Sequence, residues 1–143
     1  RDTPQPIYVA SKNKWYVPYR KTNSVDKNVN ASSGLDIIDG VTFNRTSISF
    51  GTTQNTTRST RKVKDPSFFL YDSTRDYFWT TDPIFGGVIA IDADTYSTEV
   101  TSETSGIITG QQQSATLADD SLILVRKSNT NPVKIFDLAS IIP

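Results

Sequence analysis

Asp92 and Asp94, delivered by the apolar run Val88–Ile91 in "FGGVIAIDAD" (85–94), are the acids best spaced to do chemistry. Carboxylates two residues apart, with Glu103 at the twelfth position counted from Asp92, echo a calcium-binding loop. Such a loop also needs a glycine at its sixth position and an oxygen ligand at its fifth. Here those places hold Ser97 and Tyr96. Asp39 and Asp137 end similar apolar runs, so the expected role is structural, each aspartate accepting backbone N–H groups from the turn that follows it. Asp92, Asp94 and Glu103 stand as a weak metal candidate, and no cofactor is expected.

Acid–base catalysis by carboxylates needs two of them facing each other across a cleft, one with a raised pKa. Asp36 with Asp39 and Asp119 with Asp120 are candidates, but adjacent strand residues point to opposite faces and nothing in the sequence supplies a facing partner. The chain has no cysteine and no histidine, which removes the thiolate nucleophile, the commonest general base and the commonest zinc ligand. No Gly-x-Ser-x-Gly sequence occurs either. The expectation is that the protein is not an enzyme.

Aromatic residues come in tight groups: Trp15, Tyr16 and Tyr19; Phe68, Phe69 and Tyr71; Tyr77, Phe78 and Trp79. Strand neighbours alternate faces, so each group sends about half its rings into a core and half outward. Outward rings would offer a stacking platform for sugar or peptide, and the candidate ligand-binding residues are Trp15, Tyr19 and Trp79. The basic cluster Arg58, Arg61, Lys62 and Lys64 lacks the interleaved aromatics of single-strand grooves, so no nucleic-acid partner is expected. Sequons at Asn30, Asn44 and Asn55 are about as many as chance supplies in a chain this rich in Ser and Thr.

The elements that must hold these residues are strands. Ile and Val number 23 and Thr 19, against six Leu, seven Ala and two Glu. β-branched residues pack well on pleated surfaces and lose freedom in helices, so the fold class is all-β. At 143 residues the expected organisation is one all-β domain over 1–143, with a flexible polar basic loop at 51–65. "VTFNRTSISF" (41–50) reads as a strand with Phe43, Ile48 and Phe50 on one pattern, and "ATLADD" (115–120) as a place for a helical turn. The terminal "IIP" is expected to pack. The longest apolar run is about eight residues, too short to span a membrane, and no charged-then-apolar leader opens the chain, so any targeting signal is expected to have been removed.

Three segments share one design, a strand, a polar turn, and a second strand ending on Asp. They are "KWYVPYR" (14–20) with "GLDIID" (34–39), "DYFWTTD" (76–82) with "GGVIAID" (86–92), and "DSLILVR" (120–126) with "PVKIFD" (132–137). "VIAIDADT" nearly superimposes on "VKIFDLAS". Over residues 76–140 this resembles the blade repeats of β-propellers, particularly the kind with a tyrosine-valine-threonine-asparagine signature, although that signature is not intact here. Two or three blades cannot close a ring, so the resemblance implies a longer parent chain or several subunits. The leading expectation is an antiparallel β-sandwich or jelly-roll-like fold, and the alternative is a propeller segment of two or three blade-like hairpins.

Net charge is zero but unevenly placed. Residues 1–71 carry 11 Lys/Arg against 5 Asp, a balance of +6, and residues 72–143 carry 4 against 10 acids, a balance of −6. Opposed charged halves suit a subunit that stacks on copies of itself or on a charged neighbour. The function expected is therefore an extracellular, cell-surface or virion-associated structural module for surface attachment or homo-assembly, such as a capsid decoration, fibre or filament subunit. Its partners would be its own copies or neighbouring structural subunits, with a surface glycan as the lectin-like alternative. A fragment of a larger propeller protein is the third reading.

Overall fold

The computed structural model describes residues 5–21, 32–52, 68–81, 88–100, 112–126 and 133–143. They form three antiparallel sheets, with one turn of 3₁₀ helix at Ala10–Lys12 among the described residues, so the protein is all-β. The first sheet runs β1 (Ile7–Val9), β2 (Lys14–Lys21), β3 (Ser32–Asp39) and β4 (Arg45–Thr52). The second runs β5 (Leu70–Asp72), β6 (Tyr77–Thr81), β7 (Val88–Asp92) and β8 (Thr98–Val100). The third holds β9 (Gln112–Ala118), β10 (Ser121–Arg126) and β11 (Val133–Asp137). Each strand pairs with its neighbour in sequence, the up-and-down order of a propeller blade, and the sheets stack face on face as sandwich layers do.

The second sheet is the middle layer. Val9, Tyr16, Leu35 and Ile37 of the first sheet meet Phe69, Phe78, Ile89 and Ile91 of the second. On the other side Trp79, Val88 and Ala90 meet Leu122, Leu124 and the post-strand Leu138 of the third. This explains why β7 reads as an unbroken apolar run while β11 alternates: β7 is covered on both faces, β11 on one. Phe78 is the hub of the first core, with Tyr16 at 4.6 Å, Phe69 at 4.8 Å and Tyr71 at 5.2 Å between ring centroids.

The three sheets are copies of one unit, and backbone hydrogen bonds show it at matched positions. Gly40, Ala93 and Leu138, each following a strand-ending Asp, donate their N–H to the carbonyls of Asn13, Asp76 and Asp120 at 2.9, 3.0 and 2.7 Å. Those acceptors each stand directly before the second strand of their sheet. Asn13 and Asp76 adopt the left-handed conformation, with φ of 49° and 59°.

Two local expectations are corrected. Phe43 is not a core strand residue. It sits in the turn between β3 and β4 with φ 59° and is 75% exposed, because the four-residue turn needs a left-handed residue at its last position, as Tyr96 supplies in the next sheet. Residues 115–118 are strand β9 rather than a helical turn, since their cross-strand partners on β10 continue the sheet up to a tight turn at Asp119 and Asp120. Of the basic loop expected at 51–65, Gly51 and Thr52 belong to β4 and the rest lies outside the described residues. Ile141 and Ile142 pack on the second core.

Candidate functional site

The strand-ending aspartates are turn-makers. Asp39 Oδ1 accepts the N–H groups of Val41 (2.9 Å) and Thr42 (2.7 Å) and the Thr42 hydroxyl. Asp92 Oδ1 accepts those of Asp94 (2.9 Å) and Thr95 (2.7 Å), and Asp137 Oδ1 that of Ala139 (3.1 Å). Asp72 repeats the device at the β5–β6 turn. Donors aimed at the ionised carboxylate hold Asp39 and Asp92 below the ordinary Asp range. Asp94 accepts from Lys12, and Glu103, the third member of the metal candidate, lies outside the described residues. Among the described residues no group of three or more Asp or Glu side chains is placed to hold a metal ion.

A cation ties each sheet to the next at equivalent turn positions. Lys12 Nζ, from the β1–β2 turn, bridges Asp76 Oδ2 and Asp94 Oδ1 of the second sheet, both at 2.7 Å. Arg75, from the β5–β6 turn, pairs with Asp120 of the third sheet and Asp72 of its own, and donates from Nε to the Ile142 carbonyl at 2.8 Å. Burial would raise the Asp76 carboxyl, but hydrogen bonds from Lys12 and the Tyr71 hydroxyl outweigh it and hold it low, while the bonds Lys12 donates to Asp76 and Asp94 push the lysine up.

These shifts fix the pH dependence of stability. Asp39, Asp76 and Asp92 ionise more readily folded than unfolded, so their contribution is complete above the unfolded carboxylate pKa of about 4 and is lost as pH falls through the folded values. Lys12 has the opposite sign: its contribution is complete below 10.5 and is lost as pH rises from there through its higher folded value. With no histidine in the sequence, the thermal midpoint should stay level from about pH 5 to pH 9 and drop below about pH 4. A midpoint that slopes between pH 5 and 7 in a calorimetric series would contradict this.

The outer faces of the stack are where side chains remain available. On the first sheet Tyr8, Trp15 and Ile38 stand in one cross-strand row, with Tyr8 and Trp15 rings 5.0 Å apart and tilted by 40°. Trp15 is 43% exposed. Beside the row Asp36 takes a salt bridge from Arg45 (3.1 Å) and a hydrogen bond from the Ser47 hydroxyl. On the third sheet Ile123 pairs across strands with Ile135, and Val125 with Val133, forming an aliphatic patch in which Ile135 is 67% exposed.

Of the ligand-binding candidates, Trp15 and Tyr19 share the outer face of the first sheet, two residues apart along its side-chain alternation twice over. Tyr19 lies half-buried over Gly34, where a Cβ in place of a Cα hydrogen would meet the ring and the Ile48 carbonyl. Trp79 is corrected: it is fully buried between the second and third sheets, its indole N–H bonded to Asp72 Oδ2 at 3.2 Å, and it cannot stack on an external ligand. Tyr8 and Ile38 complete the Trp15 row and were not singled out in the sequence. The "IYV" of β1, one element before the first repeat hairpin, was the available signal for Tyr8.

Comparison with protein families and with curated proteins finds no match. The faces must be read on their own chemistry. No helix among the described residues is long and apolar enough to cross a membrane.

Proposed function

We propose that this chain is a non-catalytic structural module, extracellular or virion-associated, that works in surface attachment or homo-assembly through the two outer faces of its sheet stack. The observation that carries this reading is the repeat itself. Tyr8, Trp15 and Ile38 correspond by register to Tyr71, Phe78 and Ile91 in the second sheet and to Leu117, Leu122 and Phe136 in the third. In the second and third sheets that row packs into a core between sheets. In the first it faces outward. An aromatic row left open at one end of the stack, with the Ile123–Ile135 patch open at the other, favours docking over solvation.

The free edge of β11 adds to this. In the first two sheets the third strand pairs with a fourth, whereas β11 pairs only with β10 among the described residues. Such an edge can take a strand from a neighbour. Size-exclusion chromatography with light scattering, run across protein and salt concentrations, tests the reading. Association that Trp15→Ser weakens is expected, and a monomer at every concentration and ionic strength would remove the proposal.

The tilted Tyr8–Trp15 pair also fits a sugar face, which favours a carbohydrate-binding module as the second reading. A monomer that binds a glycan array and loses that binding in Trp15→Ala would select it.

A further inference from the structure

The two outer faces are complementary to each other, and we propose that they meet head to tail, two copies of the chain closing into one ring of six sheets. This rests on the assembly reading above and adds to it the partner, the polarity and the number. Every contact between sheets within the chain follows one rule. The Tyr16–Ile37 face of the first sheet is covered by the Phe78–Ile91 row of the second. The equivalent Trp79–Ala90 face of the second is covered by the Leu122–Phe136 row of the third. On the third sheet the equivalent face is Ile123–Ile135, and it is open. The row that the rule brings to it is the Trp15–Ile38 row, open at the other end of the same chain.

The occupant is a second copy because a chain of three stacked sheets cannot bend its own ends together. A contact of unlike faces generates a ring where the rotation closes and a filament where it does not. Three sheets per chain give six for two copies and nine for three, and rings of this architecture hold about four to eight. Two copies fit. The rule itself sets the polarity, since it joins unlike faces; residues 101–143, which bear the Ile135 patch, carry three Lys/Arg against four acids, so charge adds little.

The cation clamp is not repeated at this contact. The β9–β10 turn carries Asp119 where the other two sheets carry Lys12 and Arg75, and Asn13 stands where Asp76 and Asp120 accept. The contact therefore rests on apolar burial and is weaker than the contacts within the chain.

Sedimentation and light scattering on the whole chain, with Trp15→Glu, Ile135→Glu and their equimolar mixture, test the proposal. The unmodified chain should give a mass near twice its 15.9 kDa. Each variant alone loses both contacts of the ring and should run as a monomer, its dissociation constant raised by more than about tenfold. Their mixture keeps one intact contact, so a two-copy species should return, which also shows that both variants fold. Tyr8→Glu and Val133→Glu repeat the pair should either first variant misfold. A dimer sensitive to only one of the two faces, or a species heavier than two copies, overturns the ring and leaves the assembly reading standing. A monomer throughout overturns both.

Discussion

Trp79→Ala should lower the unfolding free energy by about 4 kcal/mol, the largest effect of any one substitution in this chain. Trp79 is the largest side chain with no exposure, and it fills the layer between the second and third sheets. Its removal leaves a cavity that Val88, Ala90, Leu122 and Leu124 cannot refill, because each is fixed by cross-strand neighbours on its own sheet. The substitution also strips Asp72 Oδ2 of one of its donors. Trp79→Phe should cost about half as much, keeping much of the volume and losing the N–H. Urea unfolding measures both. A loss under about 1 kcal/mol for Trp79→Ala would mean that the third sheet does not share a core with the second.

Arg75→Met should cost about 3 kcal/mol, since it leaves Asp72 without its cation while buried. Both side chains of that pair are nearly closed to water, at 9% and 7% exposure, so screening does little to soften the loss. Asp120→Asn, at the solvent-facing end of the same guanidinium, should cost under about 1 kcal/mol. Lys12→Met at the equivalent position should fall between them, because Asp76 and Asp94 are better exposed than Asp72 and water can take over part of the bonding. A double-mutant cycle on Arg75 and Asp72 separates the pair from the packing of the arginine stem. Equal losses for Asp120→Asn and Arg75→Met would contradict the assignment of the buried partner.

Residue types and local spacing were enough to read the units. Strand-forming residues set the class, and Asp39, Asp92 and Asp137 marked the strand ends as turn-makers, because a side chain that bonds its own turn needs no information from elsewhere in the chain. The split of charge between halves was equally plain. What spacing could not say is which face of each strand meets another sheet. Trp15 and Trp79 look alike in sequence, each in an aromatic cluster on the second strand of a repeat. They differ by one place in register: Trp15 aligns with Phe78, and Trp79 with Tyr16. A one-residue offset moves a strand side chain to the opposite face, so one tryptophan looks outward and the other is sealed in.

The amino-acid order thus determined on its own the all-β class, the repeated hairpin and the aspartate-capped turns, all of them consequences of neighbours along the chain. The tertiary structure alone decided that Lys12 and Arg75 are equivalent clamps, that Trp79 is core, and that the Trp15 row and the Ile135 patch are the open ends. Those facts depend on how one sheet is laid on the next, through contacts between residues more than forty positions apart that no local pattern records.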